Sequence, residues 1–169
     1  TGIVNSTGAR SGIIGTTVGT PAEVNVLVTA QRVSSSLAIA DSVATKIPFD
    51  EIYDSHGFWD ESNERFLPTI AGYYFMSSRV CWDRGGTNLY RMRIWHYKNG
   101  SKYSVMDNHA AAVNLIKDAV TNGPTDVIYL NGSSDYMEVF VMPNGMTMTA
   151  GFSAVPRQNA LNIFLVRAT

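Results

Sequence analysis

Several strand-like segments of this chain are apolar on both faces, and this feature constrains the fold more than any other. In a β-strand, successive side chains point to opposite faces. In the segment that begins at Gly72, Tyr73 and Phe75 therefore share one face. Tyr74 and Met76 share the opposite face. An antiparallel sheet with one face in water alternates apolar and polar residues instead. Both faces of such a strand therefore need a cover.

Two later segments show the same arrangement. In the segment 135–142, one face carries Met137, Val139 and Val141, and the other carries Tyr136 and Phe140. In the segment 160–166, one face carries Leu161, Ile163 and Leu165, and the other carries Phe164 and Val166. A two-layer sandwich covers only one face of each sheet, so we predict that neighbouring copies of the chain cover the other. The predicted interface between subunits consists of Tyr74, Met76, Tyr136, Phe140, Phe164 and Val166. Alternatively, this face contacts the N-terminal segment or stays exposed, since single exposed aromatic residues are common.

The remaining pattern predicts an all-β domain. Predicted strands cover 72–82, 89–97, 103–106, 126–130, 135–142, 146–149 and 160–166. Asn99-Gly100 and Asn131-Gly132 lie between such segments, and Asn-Gly is a strong hairpin signal. Many short strands separated by turns indicate a sandwich or barrel. The segment 108–120 contains three consecutive alanines and has helical propensity, so the sequence leaves it open between a short helix and a strand.

Residues 1–34 differ from the rest, because glycine recurs every few residues among many serines and threonines. This composition predicts an extended arm or linker. A second interpretation is that three copies of the arm wind together at the top of a shaft. We predict that residues 35–169 form the single folded domain, a length that one all-β domain accommodates.

Charge and cysteine content exclude several classes of function. Thirteen basic and 14 acidic residues give a formal net charge of -1, which provides no attraction to nucleic acid or to an anionic membrane surface. No apolar run reaches the length of a membrane span, so we expect no insertion into a membrane. Cys81 is the single cysteine, so an intrachain disulfide is excluded. We predict that Cys81 is a small buried side chain.

The sequence predicts no catalytic residue, no metal site and no cofactor. His56, His96 and His109 do not have the spacing of metal ligands, and no serine lies in a nucleophile elbow. Six carboxylates between Asp50 and Glu64 lack the regular spacing of a calcium loop, so calcium binding is left open.

The best loop for ligand binding follows the segment 72–82. Polar residues stand there between two aromatic ones, a combination that suits a sugar or a peptide. The candidate residues are Trp82, Asp83, Arg84, Asn88 and Tyr90. The alternative is a plain surface turn.

A spaced motif resembles one known superfamily. Asp54, Trp59, Phe66, Gly72 and Tyr74 occur with the spacing that marks the tumour-necrosis-factor (TNF) and complement globular-head superfamily. The resemblance covers about residues 35–169. It implies a ten-strand antiparallel jelly-roll sandwich and a homotrimer that recognises its ligand through loops or grooves between subunits. It implies no catalysis.

The N-terminal arm resembles the glycine-punctuated segments that join shaft and head in bacteriophage fibre and spike proteins. Together the two resemblances imply a trimeric head on the virion surface that attaches to a host glycan or protein. One alternative is a trimerisation cap or capsid decoration protein without a ligand of its own. A glycan-active enzyme is a further alternative, which the absence of a catalytic motif disfavours.

Overall fold

The computed structural model describes residues 25–32, 37–82, 90–110, 119–144, 148–150 and 159–169. All the regular secondary structure of these residues is β-strand. In chain order the strands are β1 (Leu27–Gln31), β2 (Leu37–Ile39), β3 (Thr45–Lys46), β4 (Asp50–Asp54), β5 (Trp59–Asp60), β6 (Arg65–Phe66), β7 (Gly72–Trp82), β8 (Tyr90–Lys98), β9 (Ser101–Ala110), β10 (Ala119–Leu130), β11 (Met137–Asn144), β12 (Met148–Ala150) and β13 (Ala160–Ala168). This part of the chain has no helix that could cross a membrane.

The strands form an antiparallel sandwich of two main sheets. The five-stranded sheet has the order β10-β7-β13-β1-β4. The six-stranded sheet has the order β5-β6-β11-β8-β9, with β3 paired to β11. The two orders contain five strands each, which confirms the ten-strand jelly roll. Three short strands are additional: β3, and β2 and β12, which pair with each other.

One of the two predicted hairpins is present and the other is not. Asn99 and Gly100 join β8 to its neighbour β9 with φ of 53° and 72°, the left-handed backbone that a tight hairpin requires. The prediction of a hairpin at Asn131-Gly132 is wrong, because β10 and β11 lie in different sheets. There Asn131 Oδ1 accepts the backbone N–H groups of the three residues 133–135, which stabilises a crossover loop.

The core lies between the sheets, and it corrects one prediction. Tyr74 and Met76 are completely buried inside the chain, so their placement at a subunit interface is wrong. The Tyr74 ring contacts Phe66 edge-on at a centroid distance of 5.2 Å. Its hydroxyl donates a 2.7 Å hydrogen bond to the backbone carbonyl of Ile70. A tyrosine can therefore occupy the core here without an unsatisfied polar group.

The domain also begins earlier than the sequence indicates. Residues 27–31, predicted to belong to the arm, form β1 between β13 and β4 in the five-stranded sheet. The boundary predicted at residue 34 is therefore too late. Residues 1–24 lie outside the described part. In the ambiguous segment 108–120, β9 extends to Ala110 and β10 begins at Ala119, so both ends are strand.

Candidate binding surfaces

Four of the motif residues, Asp54, Phe66, Gly72 and Tyr74, have structural roles within the sandwich. The carboxylate of Asp54 accepts the backbone N–H groups of His56 at 2.9 Å, Gly57 at 2.9 Å and Trp59 at 2.6 Å. It therefore holds the turn between β4 and β5, and it is one of the six clustered acids of the sequence. Within the described ranges, no group of three or more histidine, cysteine or acidic side chains could hold a metal ion.

Gly72 allows β7 to enter the sheet beside the last strand. A Cβ at this position would lie 2.4 Å from the carbonyl oxygen of Arg167 and 2.8 Å from Leu165 Cδ1. Any side chain would therefore force β7 and β13 apart. Phe66, nearby, is fully buried against Tyr74 and Phe58. The motif thus marks packing of the jelly roll and does not itself form a ligand site.

The predicted ligand loop falls mostly outside the described residues. Of the five candidates, Asp83, Arg84 and Asn88 lie in the segment 83–89, which is not described. Trp82 ends β7 and Tyr90 begins β8. The strands on either side of this segment, β7 and β8, belong to different sheets. Ligand binding by these five residues stays a prediction.

The outer face of the five-stranded sheet carries an apolar row that crosses four strands. Val127, Phe75, Phe164 and Leu27 are successive cross-strand partners on β10, β7, β13 and β1. Direct partners point to the same face, so these side chains form one continuous surface. The rings of Phe75 and Phe164 stack at 4.7 Å. Val127 is 58% exposed and Phe164 41%, so the row is open to solvent in a single chain.

A second pair extends this surface. Tyr73 and Tyr129 are cross-strand partners with ring centroids 5.5 Å apart, and they are 44% and 42% exposed. Val166, on β13, is exposed as well. We call the six side chains Leu27, Tyr73, Phe75, Val127, Tyr129 and Phe164 the aromatic face. The two-sided apolar character predicted for the segment 72–82 is therefore confirmed, with Tyr73 and Phe75 as the outward pair.

The predicted interface residues divide between two opposite surfaces. Phe164 and Val166 lie on the five-stranded sheet, whereas Phe140 and the adjoining Tyr136 belong to the six-stranded sheet. The outer faces of the two layers of a sandwich point in opposite directions. One patch on a single copy therefore cannot include both pairs, and the placement of these four residues at a subunit interface stays a prediction.

Four polar side chains meet in the interior, a feature that the sequence analysis missed. His96 is completely buried between the sheets, with Nδ1 2.5 Å from Asp126 Oδ2 and Nε2 2.9 Å from Ser78 Oγ. Ser104 also donates a hydrogen bond to Asp126 Oδ2. The four residues come from β7, β8, β9 and β10, so this polar network joins both sheets.

The serine–histidine–aspartate order resembles a hydrolase triad, but the serine is enclosed. Ser78 is buried, and the backbone of Gly123 covers its hydroxyl so closely that a Cβ on Gly123 would lie 2.2 Å from Oγ. A substrate carbonyl cannot approach such a hydroxyl. The polar network is therefore structural in this conformation.

Acid is expected to weaken the fold through Asp126. Burial would raise the pKa of Asp126, but hydrogen bonds from His96 and Ser104 outweigh burial and hold the pKa below its ordinary value of 3.8. A depressed pKa stabilises the folded state above the unfolded-state pKa, and this stabilisation is lost as the pH falls through the folded-state pKa. The Tm of the wild type should therefore fall more steeply than that of Asp126→Asn between about pH 4 and about pH 2. Parallel Tm curves for the two proteins would contradict this role.

Comparisons with known proteins identify the fold. The crystal structure of murine APRIL at pH 8.5 is 12% identical, covers 84% of this chain and 99% of its own, and superimposes with a TM-score of 0.57. The structure of Eiger TNF from S. frugiperda is 6% identical, covers 86% of this chain and 94% of its own, and gives a TM-score of 0.52. The chain therefore has a TNF-like jelly-roll fold. No protein-family model and no curated protein matches the sequence.

Proposed function

We propose that three copies of this chain form the receptor-binding head of a viral fibre or spike, which attaches to a glycan or protein on the host surface. The aromatic face is the observation that carries the proposal. Soluble single chains rarely expose a continuous apolar surface of this kind, and such surfaces mark contacts with a partner. A neighbouring copy of the chain is the proposed partner.

A second apolar surface supports a ring over a two-fold dimer. The edge strand β9 exposes Tyr103 and Met106. It lies against β10 along one side of the sandwich. In a two-fold dimer each copy uses the same patch, whereas a ring joins two different patches. In the proposed trimer, the β9 edge of one copy contacts the aromatic face of the next.

The attachment role follows from the surfaces that remain exposed to solvent in the proposed ring. With the aromatic face and the Tyr103 and Met106 side of the β9 edge covered, the outer face of the six-stranded sheet and the loops between the sheets remain available to a ligand. The glycine-rich segment 1–24 is the proposed connection to a shaft, which would place the head on the virion surface. The TNF-like fold is compatible with recognition of a partner and with the absence of catalysis.

Two measurements on the purified chain test this function. Light scattering should give a mass of three times 18.5 kDa, and the trimer should bind host cells and compete with virus adsorption. A single-chain mass at high concentration would refute the trimeric head. A trimer that neither binds cells nor competes with virus would refute attachment and favour the structural trimerisation cap.

A further inference from the structure

The outer face of the six-stranded sheet carries an ordered set of aromatic and charged side chains. Lys46, Phe140, Trp95 and Val105 are successive cross-strand partners on β3, β11, β8 and β9. The adjacent rows on either side consist of Glu138, Tyr97 and Lys102, and of Met142, Arg93 and Asp107. Direct partners share a face, so the three rows form one surface. We call Lys46, Arg93, Trp95, Tyr97, Lys102 and Phe140 the platform.

Aromatic rings form the centre of the platform. Tyr97 and Phe140 stack with their centroids 4.2 Å apart and an interplanar angle of 24°, and each ring is only partly covered. Trp95 lies beside Tyr97 at 6.4 Å. Trp95 is only 4% exposed, yet it lies outside the core between the sheets. The side chains of Tyr97, Arg93 and Lys102 contact its ring on the platform. Trp95 therefore fixes the position of these three side chains.

Cations surround these rings. Lys102 Nζ lies 4.7 Å from the centroid of Trp95, and the guanidinium of Arg93 lies 6.0 Å from the same ring. Lys46 Nζ lies 6.0 Å from the centroid of Phe140. These are distances at which a cation is attracted to an aromatic face. The long side chains are thereby positioned at the edge of the aromatic centre.

The platform is positively charged although the whole chain is slightly negative. Among the described outward positions of its four strands, the cations are Lys46, Arg91, Arg93 and Lys102, and the carboxylates are Asp107 and Glu138. Glu138 pairs with Lys46 at 2.5 Å, and Asp107 pairs with Arg91 and Arg93. Four positive against two negative charges leave an excess of two. The net charge of the chain is -1.

We propose that the platform binds an acidic saccharide, one whose sugar rings carry carboxylate groups. An apolar ring surface accommodates the C–H face of a sugar, and placed polar groups at its edge fix the orientation. The lysine and arginine side chains pair with the sugar carboxylates, and Asp107 and Glu138 accept hydrogen bonds from sugar hydroxyls. This inference deepens the proposed function, because it rests on the six-stranded sheet facing outward in the trimer.

The test measures binding of oligogalacturonate to the assembled wild-type protein by calorimetry. A neutral malto-oligosaccharide and a polyglutamate peptide of equal length are the comparison probes. Oligogalacturonate should bind more tightly than either probe, and Lys102→Gln should weaken its binding about tenfold, as expected when one charge-assisted hydrogen bond is lost. Tyr97→Ala should weaken it as well. Lys98→Gln is the matched control, because it removes the same charge from the same hairpin at a position that faces away from the platform.

Each result decides the proposal. No binding of oligogalacturonate, equal binding of polyglutamate, or equal effects of Lys102→Gln and Lys98→Gln would overturn it. Measuring adsorption to host cells distinguishes a failure of the saccharide proposal from a failure of the proposed attachment function. If the trimer adsorbs to cells and Lys102→Gln adsorbs equally well, only the platform assignment fails. If the wild type neither trimerises nor adsorbs, the attachment function fails as well.

Discussion

Phe164→Asp is expected to convert the proposed trimer into single chains. Phe164 lies in the middle of the aromatic face, stacked on Phe75 and paired in register with Leu27. In the proposed ring the new carboxylate would be buried in an apolar contact without a cation to pair with. An unpaired buried charge costs at least several kcal/mol, and a threefold assembly contains the change three times. The mass from light scattering should fall to 18.5 kDa.

Phe140→Asp is the matched control for this prediction. It makes the same chemical change on the outer face of the other sheet, which the ring leaves uncovered, so the mass should remain that of three chains. Val127→Asp provides an independent test of the interface, because Val127 lies on the edge strand β10 and is mostly exposed in a single chain. If Phe164→Asp and Val127→Asp remain trimeric, or if Phe140→Asp dissociates, the assignment of the aromatic face to the interface is wrong.

The sequence predicts much of the fold because turn residues and strand alternation are local signals. The predicted segment 72–82 coincides with β7, and the hairpin at Asn99-Gly100 is present. Alternation also identifies which side chains share a face. It does not show which face turns inward when both are apolar. Tyr74 is buried because a backbone carbonyl, that of Ile70, is placed to accept its hydroxyl, and this is a tertiary contact.

The assignment of strands to sheets explains why the predicted interface residues divide between two surfaces. Phe140 and Phe164 have equivalent local patterns, with an apolar stripe on one face of the strand and an aromatic residue on the other. They lie on opposite sides of the molecule because β11 and β13 pair with different neighbours. Pairing between strands that are far apart in sequence depends on the whole topology. A local pattern therefore cannot place the two residues on one surface or on two.

The polar network had a local signal that could have revealed it. Ser78 lies two residues after Met76, His96 two residues after Ile94, and Asp126 two residues before Ile128, so each occupies an inward position of its strand. A polar residue at such a position needs a buried partner. The signal indicates that partners exist. The identity of the partners required the arrangement of β7, β8 and β10.

His96→Leu is expected to destabilise the domain more than any other substitution considered above. Leucine fills most of the space of the imidazole but leaves the partly buried Asp126 without its nitrogen partner and the buried Ser78 without the hydrogen bond to Nε2. Removal of the hydrogen-bond partner of a buried polar group typically costs about 1–3 kcal/mol. For a domain of this length, that corresponds to a decrease in Tm of roughly 2–12 °C. Thermal unfolding followed by circular dichroism measures this decrease.

The double variant His96→Leu, Asp126→Leu distinguishes the loss of the hydrogen bond between His96 and Asp126 from a simple packing defect. If the cost of His96→Leu comes from the nitrogen partner that Asp126 has lost, replacing the Asp126 carboxylate should restore at least half of the lost Tm, because replacing both partners of a hydrogen bond with apolar groups can be nearly neutral. The hydroxyls of Ser78 and Ser104 would still lack their partners, so recovery should be incomplete. A double variant less stable than His96→Leu would show that the shape of the imidazole, and not its pairing with Asp126, holds the two sheets together.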